Sequence, residues 1–391
     1  MGFDFLRRHM YEQGISFSTL LLLPYAAMMV VHSSAGRAPG VYEVFLQVKG
    51  FMEKRLTPLV RGRLAPSPTG FLHLGNAWAF LAAWLGAKTR GGDCILRLED
   101  IDPARSTADF AAAIIEDLTW FGLSWEYGPG ARQGLEDAGG FSPCSGPFVQ
   151  SERLDVYAKA LDDLRAEGLL YPCYCTRKEL RAIAGAPHVE DAGAPYPNLC
   201  RTLSLDDRKR HEAAGRRPSW RLLCPASTVW TFDDAVMGTQ ARTLEECGGD
   251  FALYRSDGVY AYQLAVVVDD IAMGVTEVVR GNDILCSTPR QMYLYSLFGA
   301  SVPRYAHVPL VLDCEGERLA KRHQAMTLRA LRGEGVFPET LVGWLALSSG
   351  LLDEYRPMAV QECLRVFSFA KIRRQPFRLP PDPVRYFLSL Q

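Results

Sequence analysis

The chain has 391 residues, 48% of them hydrophobic, which is enough apolar material for a large core and, by length, for more than one domain. Lys and Arg number 43 against 44 Asp and Glu, a formal net charge of −1. That balance excludes an overall positive field, so a nucleic-acid partner has to be met by a local patch. The ten cysteines are mostly scattered singly, as in a reduced intracellular protein rather than a disulfide-stapled one.

Residues 1–51 differ from the rest. ISFSTLLLLPYAAMMVV, residues 15–31, is an apolar run behind Arg7 and Arg8. By itself it reads as a signal-peptide core or a marginal membrane span, at the short end of the spanning range and interrupted by Pro24. The expectation is instead an N-terminal extension upstream of the true start, with Met52, just ahead of TPLVRGRLAP, as initiator. No membrane association and a cytoplasmic location are expected.

From Arg63 onward strands and helices alternate, which predicts an α/β domain on a parallel sheet. RLAPSPTGFLHLGN, residues 63–76, leaves a strand through two prolines and a glycine and sets His73 where an apolar helix begins. Free backbone N–H groups and the helix dipole at such a start suit phosphate oxygens. Ser67 and Thr69 offer hydroxyls there, and Gly70 and Gly75 allow close backbone approach. CILRLEDID, residues 94–102, reads as a strand ending in acids, of which Asp100 and Asp102 are expected to cap the next turn. TADFAAAIIEDLTWFGL, residues 107–123, has helical apolar spacing with Thr107 as its cap. A Gly- and Pro-rich exposed loop, residues 126–147, precedes an amphipathic helix over 151–171 with Ser151 as cap.

A Cys-, Pro- and Gly-rich insertion follows to about Arg217. In it, Cys173 and Cys175 form a C-x-C pair and Cys200 lies four residues after Tyr196. Three thiolates suit a tetrahedral Zn²⁺ that would staple a segment with little core of its own. On general grounds His188 would be the fourth ligand, and buried free thiols are the plain alternative. AYQLAVVVDDIAMGVTEVVRG, residues 261–281, reads as two buried strands. Farther on, ERLAKRHQAMTL, residues 317–328, packs Arg318, Lys321 and Arg322 into a loop that could clamp a triphosphate. The tail after Ala330 reads as helical.

Taken together, APSPTGFLHLGN resembles the HIGH signature of class I aminoacyl-tRNA synthetases in its glutamyl form, and RLAKR resembles the companion KMSKS loop. RLEDID and the stretch from DGVYAYQLAVVVDD to STPRQMYL are similar to further segments of that family. The AYQLAVVVDD version resembles the glutamyl-queuosine tRNA(Asp) synthetases, a paralogue group without an anticodon-binding domain. The order of the motifs from about Arg61 to the C-terminus matches.

The resemblance implies a Rossmann-type catalytic fold split into residues 61–165 and 251–330, a zinc-bearing insertion over 166–250 and a short helical tail over 331–391. It implies tRNA-independent activation of L-glutamate with ATP and Mg²⁺, then transfer of glutamate to the queuosine base of tRNA(Asp), by a monomer. The alternatives are a truncated glutamyl-tRNA synthetase charging the tRNA 3′ end and a non-catalytic RNA- or nucleotide-binding relative.

By the family pattern, Arg63, Leu64, Ala65, Pro66 and Ser67, with Glu99, Tyr262 and Arg280, line the glutamate pocket. Guanidinium groups suit its carboxylates and Glu99 its ammonium; the plain alternative for Glu99 and Arg280 is an ion pair with each other. His73, Gly75, Asn76 and Lys321 face ATP, with His73 and Lys321 catalytic. One structural zinc is expected on Cys173, Cys175 and Cys200, with Tyr196 in the place where the paralogue group has a Tyr. Three positions depart from the signatures: Asn76 replaces the last His, Arg318 the first Lys, and Ala320 the first Ser, which removes a hydroxyl near the phosphates. Residues 207–217 and 371–378 are the best basic patches for RNA phosphates, though no single contact is readable.

Overall fold

The computed structural model describes residues 60–131, 144, 146–176, 178–180, 196–225, 227–319 and 326–391. The apolar run of residues 15–31, Met52, His188, Ala320, Lys321 and Arg322 lie outside the described residues. Among the described residues no helix is long and apolar enough to cross a membrane.

The first strand, β1 (Arg61–Leu64), is buried throughout and pairs in parallel with β2 (Asp93–Leu96). Helix α1 (Leu74–Lys88) crosses between them. β2 stops before the acids expected to end it, but the chain stays tied to the layer, because Arg97 N donates to Leu64 O and Glu99 N to Pro66 O, both at 2.9 Å. Helix α2 (Ala108–Trp120) is capped as its sequence predicts, the Thr107 hydroxyl accepting from Phe110 N at 3.2 Å. Helix α3 (Leu154–Ala166) is not capped by Ser151. A 3₁₀ turn over Gln150–Arg153 comes first, and Ser151 is taken by Asp100, which accepts from its N at 2.8 Å and its Oγ at 2.6 Å. A carboxylate from another loop outcompetes the local cap.

Next, β3 (Leu170–Cys173), helix α4 (Leu205–Ala213), β4 (Ser219–Leu222), β5 (Val229–Asp234), β6 (Gly238–Thr243) and β7 (Ala252–Tyr254) form two layers. Strands β3, β4 and β7 make an antiparallel sheet in that order. β5 and β6 instead join the second half of the parallel layer.

Residues 262–272 correct the expectation of two strands. They form helix α5 (Tyr262–Ala272), and only β8 (Glu277–Gly281) is a strand. The run LAVVVDD has no polar face in either period. Every residue from Leu264 to Asp270 is buried, as in a helix enclosed on all sides. β-branched residues favour strands only weakly, and packing overrides them. Two buried acids at a helix C-terminus are unfavourable against the dipole. Here they are offset by arginines. Asp269 takes Arg153 Nε at 2.6 Å, Gln150 Nε2 at 2.8 Å and the Tyr157 hydroxyl, while Asp270 takes Arg97 Nη1 at 2.7 Å.

Helix α6 (Ser287–Leu297) and β9 (Arg304–Val308) follow. The sheet order is β6–β5–β9–β8, with β9 parallel to both neighbours and β6 antiparallel at the edge. β1 lies against β8, since Thr276 N donates to Arg61 O at 3.0 Å and Arg63 Nη1 to Val279 O at 3.2 Å. The two halves of the expected catalytic layer therefore meet side by side along β1 and β8. The short strand β10 (Val311–Leu312), helices α7 (Leu328–Gly333), α8 (Pro338–Ser349) and α9 (Val360–Cys363), β11 (Phe377–Arg378) and helix α10 (Pro383–Ser389) complete the chain. The tail is helical as expected and braces the site. β11 pairs with β10, Phe377 packs on Trp78 of α1 with ring centroids 6.0 Å apart, and Trp344 packs on Phe387 at 5.4 Å. Fully buried, Phe387 contributes about 2–3 kcal/mol.

Candidate active site

At the end of β1 the stiff turn of residues 65–72 delivers His73 to the N-terminus of α1. Its Nδ1 accepts from Asn76 N at 3.2 Å, and Asn76 Oδ1 accepts from His73 N at 3.1 Å. This is a reciprocal cap, and it gives a local reason for Asn76 in place of a third histidine: a short amide closes the box. With Nδ1 accepting, the neutral imidazole carries its proton on Nε2. Gly75 is needed for the ring's position, because a Cβ there would stand 3.1 Å from His73 Cε1 and Nδ1.

These residues line a cavity of about 180 Å³. Its walls are His73, Gly75, Asn76 and Trp78 on one side and Gly281, Asp283 and residues 308–311 on the other, with Arg318 and Leu319 closing it. Trp78 Nε1 donates to Pro309 O at 3.0 Å, which clips α1 to the far wall. Arg318, which replaces the first Lys of the loop signature, stands 3.6 Å from Asp283. The backbone of His73 bridges to that of Thr327, just past the loop. Three of the four expected ATP-facing residues are thus together, and Lys321 lies outside the described residues.

The expected glutamate pocket lies deeper, where β1, β8 and α5 converge. Arg63 is buried, with Nη1 on Val279 O and Nε 3.7 Å from Asp270 Oδ2; Arg63 Nε has no hydrogen-bond partner, nor do the buried hydroxyls of Tyr295 and Tyr305. Glu99 is held by Arg97 Nη2 at 3.0 Å. The alternative of a Glu99–Arg280 ion pair is therefore not realised. Burial pushes the Glu99 carboxyl up, against the pull of Arg97 and Arg63. Pro66 is buried, Leu64 and Ala65 lead up to it, Ser67 is exposed, and Tyr262 opens α5 at 36% exposure. Burial pushes the Tyr305 hydroxyl up, against the pull of the Arg280 and Arg63 charges.

Arg280 is 5% exposed. Its Nε donates to His307 Nε2 at 3.0 Å, Nη1 to Gln291 Oε1 at 2.7 Å and Nη2 to Thr288 Oγ1 at 2.8 Å. The position at the end of a buried strand predicts a head projecting from the strand end into the cleft. The structure ties that head on three sides, and Tyr305 lies against it at 5.4 Å. Behind His307 stands Asp234, whose carboxylate accepts from His307 Nδ1 at 2.6 Å and from the backbone of Val236, Met237 and His307. Burial works against the Asp234 charge, but these hydrogen bonds outweigh it and hold the carboxyl below its usual range. Burial and the Arg280 charge push His307 down to about 4, so its ring is neutral. Asp234, Thr288, Gln291 and His307 were not predicted. They lie on three elements and share no sequence period, so only the sheet brings them together.

The cysteine cluster forms in the antiparallel layer. Cys173 ends β3, and Cys175 and Cys200 fold onto it, the three Sγ atoms lying within 4.8 Å of one another. Cys175 Sγ and Cys200 Sγ are 3.5 Å apart. The Tyr196 hydroxyl is 3.2 Å from Cys173 Sγ and 4.0 Å from Cys175 Sγ, and it accepts from Cys200 N at 3.0 Å. Asn198, at φ 57°, makes the tight turn that brings Cys200 back. Zn–S bonds of about 2.3 Å put tetrahedral sulfurs about 3.8 Å apart, so this donor set fits a metal of that kind.

Comparison with known proteins gives the same picture. The family described as tRNA synthetases class I (E and Q), catalytic domain, matches residues 59–368. A Glutamyl-Q tRNA(Asp) synthetase from Nitratidesulfovibrio vulgaris strain Hildenborough is 55% identical over 324 residues, covering 83% of this chain and 97% of the relative. One from Symbiobacterium thermophilum is 50% identical with the same coverage. Among solved structures, a glutamate tRNA ligase from Elizabethkingia meningosepticum in complex with its amino acid superposes with a TM-score of 0.65 at 26% identity, over 84% of this chain and 69% of that one.

Proposed function

The chain belongs to the class I tRNA synthetases (E and Q), and from that premise we propose that it is a glutamyl-queuosine tRNA(Asp) synthetase. It activates glutamate with ATP and transfers it to queuosine of tRNA(Asp). The observation that carries this reading is the 55% identity to a protein of that name over 97% of its length.

The site's own residues supply the steps. An oxygen of the glutamate α-carboxylate attacks the α-phosphorus of ATP, the bond to the bridging oxygen breaks, and pyrophosphate leaves; Mg²⁺ bound with ATP would offset phosphate charge. The start of α1 at Gly75 faces the phosphates with the positive end of the helix dipole, while the Asn76 N–H is spent on the His73 cap. His73, held by its cap, donates from Nε2 to charge developing on phosphate. Arg63 and Arg280 meet the substrate's carboxylates and Glu99 its ammonium; Arg63 Nε, which makes no hydrogen bond and only a 3.7 Å ion pair with Asp270, supports that assignment. A hydroxyl of the queuosine base then attacks the activated carbonyl and AMP leaves. This activation proceeds without tRNA. Cys173, Cys175, Cys200 and Tyr196 would hold one Zn²⁺, which supplies a structural crosslink remote from the reaction. The enzyme works in the cytoplasm.

The test is glutamate-dependent ATP–pyrophosphate exchange without tRNA, followed by transfer of labelled glutamate. Label should enter queuosine-containing tRNA(Asp) lacking its 3′-terminal adenosine, and should not enter intact tRNA(Asp) with guanosine at the wobble position. The reverse pattern would identify 3′-end charging, and no exchange at all would identify a non-catalytic relative. Lys321→Ala is expected to lower exchange about a hundredfold, the usual scale for losing one transition-state charge partner. Unaltered exchange would remove Lys321 from the phosphate clamp.

A further inference from the structure

Two buried arginines in this site are treated in opposite ways. Arg97 is enclosed by carboxylates, with Asp270 at 2.7 Å, Glu99 at 3.0 Å and Asp269 at 3.7 Å. Arg280, also buried, touches only neutral acceptors: the Gln291 amide oxygen, the Thr288 hydroxyl and the His307 imidazole. Among the described residues no carboxylate lies within ion-pair distance of it. Burying a guanidinium without a counter-ion is costly. One counter-charge, Asp234, stands an imidazole away. Because Asp234 accepts only, it holds the His307 proton on Nδ1 and turns the Nε2 lone pair to Arg280. The counter-ion thus supports the cation through the ring without occupying its contact positions. The three anchors use three of the five N–H groups of the guanidinium, leaving one on each terminal nitrogen, the number a bidentate carboxylate accepts.

We propose that Gln291, Thr288 and His307 are specificity-determining positioning residues, which hold Arg280 by neutral acceptors alone so that its contact charge is reserved for a substrate carboxylate. This rests on the reading of Arg280 as a glutamate-binding residue. Gln291 is the position that decides it. Its amide is oriented from behind, Nε2 donating to Gln263 Oε1 at 3.0 Å and Gln263 Nε2 donating to Ser287 Oγ at 2.9 Å. A glutamate at 291 has the same shape and puts a resident carboxylate on Arg280. The Gln263 amide can rotate to donate to it and accept from Ser287, so the packing survives.

The experiment compares wild type, Gln291→Glu and Gln291→Met in ATP–pyrophosphate exchange with glutamate and with glutamine, using the full chain. Gln291→Glu should raise KM for glutamate about a hundredfold and lower the preference for glutamate over glutamine by a similar factor, with KM for ATP within about threefold, since a neutralised cation loses its selectivity for charge. Gln291→Met, which removes an anchor and adds no charge, should raise KM for glutamate about tenfold and keep kcat. If Gln291→Glu does not fold, Gln291→Met decides, and an unaltered KM there overturns the inference. Wild-type exchange with glutamate, together with a Gln291→Glu enzyme of unaltered KM and selectivity, also overturns it while leaving the assigned activity intact. Wild-type protein that does not exchange with glutamate overturns both.

Discussion

Arg280→Leu is expected to lower kcat/KM for glutamate in ATP–pyrophosphate exchange by about a thousandfold or more, while KM for ATP stays within about threefold. Removing the guanidinium leaves a substrate carboxylate desolvated and unpaired, which costs about 3–5 kcal/mol. The fold should tolerate the change. Thr288 Oγ1 and His307 Nε2 are already 3.2 Å apart and can satisfy each other, and Gln291 keeps its bond to Gln263. The cavity of His73, Gly75 and Asn76 is lined by Gly281 but does not include Arg280. Wild-type protein should reject glutamine, whose neutral amide leaves the cation unpaired, and aspartate, whose shorter chain pulls the carboxylate away. Exchange that supports glutamine or aspartate as well as glutamate would show the pocket to be misread, as would an Arg280→Leu enzyme with wild-type kinetics.

The double substitution Cys173→Ser/Cys200→Ser should abolish metal binding, read as loss of one equivalent of zinc by elemental analysis. Structural zinc sites contribute on the order of 10 kcal/mol to the segment that holds them, so losing two thiolates should also expose this layer to proteolysis. The small apolar cluster there, Tyr171, Cys173, Tyr196 and Cys200, consists largely of the proposed ligands, with Cys175, Leu180, Leu203 and Leu223 packed against it. Tyr196→Phe should weaken zinc retention against a chelator while keeping the ring that Arg221 covers at 3.7 Å. One equivalent of zinc surviving in the double variant would sink the assignment.

The helix starts were legible because they are local. The Thr107 cap and the His73 turn need only a few neighbouring residues, and both stand as the sequence predicts. Ser151 failed for the opposite reason: Asp100, fifty-one positions away, takes it. Residues 262–272 failed because an apolar run without a polar face carries no period. Whether it becomes strand or helix depends on what encloses it, and here Arg97 and Arg153 wait at one end for Asp269 and Asp270.

At the site itself the same division holds. The residues whose chemistry is visible in a short motif form two separate groups, His73, Gly75 and Asn76 at one cavity and the three cysteines elsewhere, with Tyr196, which the family resemblance supplied, beside the cysteines. The sequence by itself determined the family, the order of its signatures and the kinds of group available to hold phosphate, carboxylate and metal, because those are properties of residue type and near spacing. Only the tertiary structure decided which cations are already paired and which are held open. Pairing of buried charges depends on contacts between β8, α6, β9 and β5, and in a medium of low polarity a few ångströms between carboxylate and guanidinium separate a structural ion pair from a binding site.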